Sequence, residues 1–200
     1  MEPSREDIVK HYVYDPDLVQ RVAYRKVQTP LDIVDPDPTW PEQFEQLKAR
    51  IESAIGPTMV SIAHVGSTSV PSLAAKAIID IDLAVQDITD EASYVAALEA
   101  AGFHFLAREP LWWEHRFFCC YDPPAHLHVW PPSSPEMVRH RIMKEWLMEH
   151  EDDRELYVKA KKEASRVSKS EGETMMQYNL RKEQVIRAIL EKALKHHGYI

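Results

Sequence analysis

Residues 64–82 read HVGSTSVPSLAAKAIIDID, a glycine–serine loop running into an apolar strand that carries two aspartates. Side chains alternate across a strand, so Asp80 and Asp82 share one face while Ile79, Ile81 and Leu83 take the other. Their Cα atoms then lie about 6.5 Å apart. Carboxylates about 5 Å apart repel by roughly 3 kcal/mol at an effective dielectric of about 20. So apolar a strand holds two acids on one face only with compensation: a divalent cation, a bound cationic group, a Lys or Arg of the protein, or a raised pKa. The plainer alternative is an edge strand with both acids in water. Gly66 permits close backbone approach, and the N–H groups and hydroxyls of Gly66, Ser67, Thr68 and Ser69 offer a cradle for an anion at a loop-to-helix transition.

Upstream, residues 58–65 read as a strand. Before it, Pro41–Ile55 reads as an amphipathic helix with Phe44, Leu47, Ile51 and Ile55 on one face. Asp35-Pro36-Asp37-Pro38 is a turn ahead of that helix, and Gly56-Pro57 ends it. Residues 1–30 are polar and irregular, with a short helix near Ser4–Tyr12. Downstream of the loop, residues 77–85 form the second strand and Asp90–Ala101 a helix. Three short strands follow near 103–107, 114–120 and 125–130, the last two joined as a hairpin by Asp122-Pro123-Pro124. Ser134 caps a helix with Pro135 in its first position, running to about His150, and two more helices cover roughly 152–169 and 173–197. The expected fold is α+β in a single domain over 1–200. It has an N-terminal extension (1–30), a mixed α/β core (31–132) and C-terminal helices (133–200) packed on that core.

A hydrophobic fraction of 44% supports a packed core. No apolar run approaches the roughly 18 residues a membrane span needs, so no membrane association is expected. The amino-terminal MEPSREDIVK has neither the apolar nor the basic amphipathic character of a targeting segment. The two cysteines, Cys119 and Cys120, are adjacent, which argues against a disulfide framework and points to strand packing in a reducing cytoplasm. The net charge of −8 is uneven: residues 1–153 hold 13 Lys+Arg against 26 Asp+Glu, and residues 154–200 hold 11 against 6. Passive nucleic-acid binders are basic throughout the binding domain, so that class is disfavoured. The basic last quarter is either a solvated helix face or a surface for phosphates or RNA.

Other residues carry chemistry in two ways each. His126 and His128 share a face of the 125–130 strand, as a structural pair or as ligands that suit Zn or Fe better than Mg. Glu114, His115 and Arg116 on the neighbouring strand complete an acid–base cluster. Trp112 and Trp113 wall a pocket or belong to the core. Lys76 binds a phosphate or pairs with an acid. Tyr178, Arg181 and Lys182 return to cover the site, with Met175 and Met176 packed in the core.

Val65-Gly66-Ser67 followed by Asp80-Ile81-Asp82 resembles the hydrophobic–Gly–Gly/Ser and Asp-x-Asp elements of the nucleotidyltransferase superfamily. The wider run from His64 to Asp82 resembles the GrpB family over about residues 30–198. So do Asp35-Pro36, Trp40-Pro41, His126-Leu127-His128-Val129, Tyr178-Asn179 and Lys182. Ser72 and Ala77 depart from that family's Gly and Pro, a matter of loop geometry. The resemblance implies a nucleotidyltransferase-like mixed sheet flanked by helices. A working nucleotidyltransferase adds a third carboxylate to complete a two-metal site; His126 and His128 stand there instead, with Glu114 as a substitute acid.

Through fungal members that look like arginine-containing cyclodipeptide synthases, the resemblance further implies a transferase using arginyl-tRNA and a second aminoacyl-tRNA. In that reading no cofactor is required, and Asp80 and Asp82 grip a guanidinium. His64, His128 or Glu114 takes the proton, and Gly66 to Ser69 supply oxyanion donors. Lys76, Arg116, His126, Tyr178 and Lys182 bind substrate, and the basic helices dock the tRNA backbone. The alternatives are a metal-dependent nucleotidyltransferase, with Asp80 and Asp82 holding Mg for an NTP, and a non-catalytic ligand- or RNA-binding module.

Overall fold

The computed structural model of the protein describes residues 3–28 and 30–200; of the amino-terminal stretch read for a targeting signal, Met1 and Glu2 lie outside them. Six strands form one mixed sheet: β1 (Gln20–Arg21), β2 (Met59–Val65), β3 (Ile79–Val85), β4 (His104–Glu109), β5 (His115–Tyr121) and β6 (Pro124–Trp130). Their order is β1-β4-β5-β6-β3-β2. β3 therefore lies inside the sheet, parallel to β6 and antiparallel to β2, and the edge-strand alternative does not apply. β5 and β6 form the expected hairpin.

Strand alternation sorts the two faces of the sheet. Ile79, Ile81 and Leu83 of β3 join Leu127 and Val129 of β6 in the main core. Over them lie α2 (Trp40–Ile55), with Trp40, Phe44, Leu47, Ile51 and Ile55 buried at helical spacing, and α3 (Val95–Ala100). α3 is shorter than the expected Asp90–Ala101 helix. The backbone at Tyr94 (φ −141°, ψ −30°) separates it from a 3-10 turn at Glu91–Ser93. Tyr94 is fully buried there, its hydroxyl donating to the Ile88 carbonyl at 2.7 Å.

The opposite face is polar and is roofed by α4 (Pro135–Glu149), α5 (Glu151–Glu171) and α6 (Met175–His196). These helices share two apolar clusters of their own, one of which takes in Ile8 of α1 (Arg5–Val9). Ser134 sits at the N-cap of α4 as expected, yet its hydroxyl makes no cap bond and is buried without a partner. The amino-terminal segment is less irregular than its composition suggests. Gln20 and Arg21 pair with Arg108 and Ala107 at the sheet's edge. Among the described residues, no helix is long and apolar enough to cross a membrane.

Candidate active site

The in-register pairing of β3 with β6 sets Asp80 beside His126 and Asp82 beside His128 on the polar face. The two acids differ in surroundings. Asp82 is 1% exposed; Trp130 Nε1–H donates to its Oδ1 at 2.9 Å, and His140 Nδ1–H, reaching down from α4, donates to its Oδ2 at 2.8 Å. Burial disfavours the imidazolium of His140, but the Asp82 charge prevails and raises it to about 9. Burial likewise opposes the Asp82 carboxylate, and His140 outweighs it, so that acid is held below the usual carboxylate range. Asp82 is the buried member of this ion pair and both of its oxygens are hydrogen-bonded, whereas the His140 side chain is 30% exposed, which eases the cost of holding its charge.

Asp80 accepts from His126 Nδ1 at 3.0 Å. The other ring nitrogen of His126, Nε2, lies 3.1 Å from Nη2 of Arg25. A guanidinium only donates, so Nε2 accepts and Nδ1 carries the proton given to Asp80. Burial keeps the His126 imidazole below its ordinary value and hence neutral. The hydrogen bond from His126 outweighs burial at Asp80 and keeps that group ionised.

A second chain of bonds crosses the β4–β5 hairpin. Glu109 and His115 are direct cross-strand partners, and His115 Nδ1 lies 2.7 Å from Glu109 Oε2. His115 Nε2 lies 3.0 Å from Nδ1 of His128. Burial holds both imidazoles at about 3, so both are neutral. With Glu109 as the anion, His115 donates to it from Nδ1 and accepts at Nε2 from His128. Nε2 of His128 is left as a bare lone pair in the cavity that this residue lines. The turn between the strands bends sharply, with Trp113 and Glu114 at φ 52° and 57°. Trp112 from this turn packs edge-on to Trp130 and stacks against Tyr12 of the amino-terminal segment.

These groups face a cavity of about 660 Å³ between the sheet and the helical roof. Its floor is Asp80, His126 and His128, and its rim includes Gly66, Ser67 and Thr68. Its far wall holds Lys76, Lys161 of α5 and Lys182 of α6 around Tyr157 and Tyr178. Gly66 has φ 66°, and a Cβ at that position would fall 2.4 Å from Asp80 Oδ2. The loop and the acid thus pack against each other, which is why glycine stands there. Ser67–Ser69 is a single 3-10 turn and not a helix start. Thr68 donates to the Ile78 carbonyl and Ser69 to the Gly66 carbonyl, so those hydroxyls brace the loop.

Of the residues singled out in the sequence, the structure gathers Asp80, His126, His128, Gly66, Ser67, Thr68, Lys76, Tyr178 and Lys182 at one cavity. Several others fall elsewhere. His64 lies on the opposite face of the sheet, stacked on Phe44 at 4.9 Å and bonded to Thr68, so it is no proton acceptor for this cavity. Arg116 also points to the far face, donating to Glu91 at 2.7 Å, and Glu114 pairs with Arg116 rather than serving as a third acid. Ser69 supplies no cavity-lining group, and Arg181 is bound to Glu171 and Glu173. Met175 and Met176 line the cavity instead of the core. Among the described residues Lys76 forms no salt bridge; its ammonium lies 4.3 Å over the Tyr178 ring. A paired grip of Asp80 and Asp82 on a guanidinium is not formed, because Asp82 is already saturated by Trp130 and His140.

The same facts bear on Mg. That ion demands a near-octahedral set of oxygens. Asp82 gives both oxygens to protein donors, and Asp80 gives one to His126 and lodges the other against Gly66. The remaining neighbours are imidazoles, and among the described residues no three His, Cys, Asp or Glu side chains converge as a metal-binding group. The donor set does not fit Mg, which corrects the metal role expected of Asp80 and Asp82.

Sequence reading missed Glu109, His140, Arg25 and Lys161. Glu109 and His115 flank a turn at a spacing that closes a hairpin, and this was the available signal; His140 and Lys161 reach the site from distant helices with no local mark.

The GrpB protein family model matches residues 30–192, and the chain belongs to this family. A UPF0157 protein of Halalkalibacterium halodurans is 36% identical over 163 residues, 82% of each chain. The crystal structure of the conserved protein GrpB from Enterococcus faecalis superposes with a TM-score of 0.69. It covers 83% of this chain and 99% of that one at 24% identity, a likeness of fold. A dephospho-CoA kinase of Mycolicibacterium paratuberculosis is 28% identical over 163 residues, 68% of this chain and 40% of that protein.

Proposed function

We propose that the protein is a transferase that draws a proton from an amine or hydroxyl nucleophile onto His128 and directs it at an activated substrate held over the Gly66–Ser67 loop. The observation that carries this reading is the Glu109–His115–His128 chain, bonded at 2.7 and 3.0 Å and ending on a residue that lines the cavity; with Glu109 anionic its tautomers leave His128 Nε2 unprotonated. The proton taken from the nucleophile goes to His128 Nε2. The Nδ1 proton of His128 passes to His115 Nε2, and that of His115 Nδ1 passes to Glu109. Burial pushes the Glu109 carboxyl up, so it can accept a proton at the end of the chain. No imidazolium accumulates in the interior. Asp80, ionised and fixed by His126, orients the nucleophile by accepting from its second hydrogen or from a neighbouring donor. Likeness to a protein named as a kinase supports the transferase class, with an NTP as the first substrate to test.

Aminoacyl-tRNA is the second reading. The neutral base favours it, because an aminoacyl ester is already activated and its attack by an amine needs a base and positioning alone. Two incubations test the proposal, both read by mass spectrometry. One contains labelled nucleoside triphosphates with Mg; the other contains tRNA, synthetases, amino acids and ATP. Product is expected in one arm, nucleotide transfer in the first or a diketopiperazine in the second. His128→Asn should lower turnover by about 10²-fold or more. Glu109→Gln should do nearly as much, because a Gln amide donating to His115 Nδ1 would reverse the tautomers and protonate His128 Nε2. Full turnover in His128→Asn, or no product in either arm, would sink the proposal.

A further inference from the structure

We propose that the lysine-walled half of the cavity is a phosphate site, in which Lys76, Lys161, Lys182 and the Tyr178 hydroxyl bind the phosphate chain of a small nucleotide-type substrate. The inference rests on the transferase reading for what happens to that ligand, and not for its binding.

Among the described residues, three that line this cavity carry a buried donor without a hydrogen-bond partner: Trp112 Nε1, and, on the lysine-walled side, Lys161 Nζ and Tyr178 Oη. Lys161 is 2% exposed and Tyr178 fully buried. A buried polar group left unpaired is costly, more so when charged, and native folds keep few of them. An ammonium has three donors and no acceptor. The missing partner is therefore rich in acceptors and negative.

The cations converge from three separate parts of the chain. Lys76 precedes β3, Lys161 lies on α5 and Lys182 on α6. Lys76 and Lys182 stand 4.3 and 5.0 Å from the Tyr178 ring centre, and Lys161 stands 4.3 Å from that of Tyr157. The rings soften the burial of the cations without neutralising them. Burial first, then the repulsion of Lys182, lowers Lys161 to about 6 and Lys76 to about 7. Asp80 on β3 faces both lysines and partly offsets this. An anion would relieve both effects.

Three ammonium groups match a polyanion better than a single carboxylate. The depth of Lys161 separates it from the backbone of a docked RNA, whose phosphates stay at the surface. Other basic residues of α5 and α6 are matched on the outside: Arg166 by Glu163, Arg187 by Glu183, Lys192 by Asp153 and Lys195 by Glu191. The positive excess of the last quarter is thus turned in part toward the cavity, next to Asp80 and the His128 base.

Calorimetric titration of the full chain with inorganic triphosphate and with ATP tests the site. One-site binding is expected. Repeats in buffers of different ionisation enthalpy should show proton uptake, as Lys76 and Lys161, facing Lys182, Asp80 and Tyr157, regain protons beside the anion. Lys161→Met and Lys182→Gln should each weaken binding about tenfold or more, whereas His128→Asn should bind as wild type. Lys161→Met should also melt higher than wild type, since it removes a buried amine that has no hydrogen-bond partner and whose burial costs it its proton. If that variant does not fold, Lys182→Gln at its half-buried position carries the test. Wild type failing to bind at millimolar triphosphate would overturn the proposal, as would both lysine variants binding normally or His128→Asn abolishing binding. Competition by tRNA but not by ATP would overturn it too.

Discussion

Asp80 and Asp82 are two residues apart and do unlike work. Asp82 is a buried anchor that ties α4 to the sheet through His140 and Trp130. Asp80 faces the cavity with one oxygen against Gly66. The repulsion that a strand with two acids must resolve is answered from within the protein, by a protonated His140 on one and a donated proton from neutral His126 on the other. Gly66 is the most exacting position of the loop. Gly66→Ala adds a Cβ at φ 66° and presses it into the Asp80 carboxylate. It should cost about 2 kcal/mol or more in urea denaturation. In an Asp80→Gly background the clash disappears and the cost should fall to that of the backbone conformation alone. An equal cost in both backgrounds would show that the Asp80 contact does not matter.

At the scale of elements, the parallel pairing of β3 and β6 does what neither strand does alone. Asp-x-Asp and His-x-His each put two groups on one face, and register brings Asp80 to His126 and Asp82 to His128. The period of two was visible in the sequence; the register was not, because nothing local specifies which strands adjoin. α6 brings a second set of groups to the mouth of the cavity. Its start is fixed by a reciprocal capping box between Thr174 and Gln177. Met175, Met176 and Tyr178 follow directly and line the cavity. Thr174→Ala should cost about 1 kcal/mol and, by fraying that first turn, weaken triphosphate binding as read by calorimetry. Stability lost with unchanged affinity would mean that the turn does not position the cavity wall.

For the molecule as a whole, the buried groups predict how stability follows pH. An unfolded imidazole titrates near 6.5, whereas His140 keeps its proton to about 9. Between those values the native state holds more protons than the unfolded one, so this pair's contribution is full below about pH 6.5 and is lost as pH rises toward 9. Lys161 acts in the opposite sense. It drops to about 6 in the fold from 10.5, so stability gains as pH rises from about 6 toward 10. Each proton gives a slope of at most about 1.4 kcal/mol per pH unit. Urea denaturation between pH 6 and 9.5 should show His140→Gln rising more steeply with pH than wild type, and Lys161→Met falling more. Profiles parallel to wild type in both variants would remove these two groups as the source.

The chain itself determined the α+β class, the helices and strands other than β1 and α3 close to their observed limits, the hairpin of β5 and β6, and the pairing of the Gly66 loop with the acidic strand. All of these follow from local periodicity, turn residues and a single short motif. The tertiary structure decided which acid faces the cavity, which histidines are bonded to which partners and where the positive charge of the last quarter points. Those outcomes depend on contacts between distant parts of the chain: His140 with Asp82 across 58 residues, Arg25 with His126 across 101, and Lys76 with α6 at Tyr178. A side chain's charge state is set by its neighbours, and only the folded arrangement supplies them.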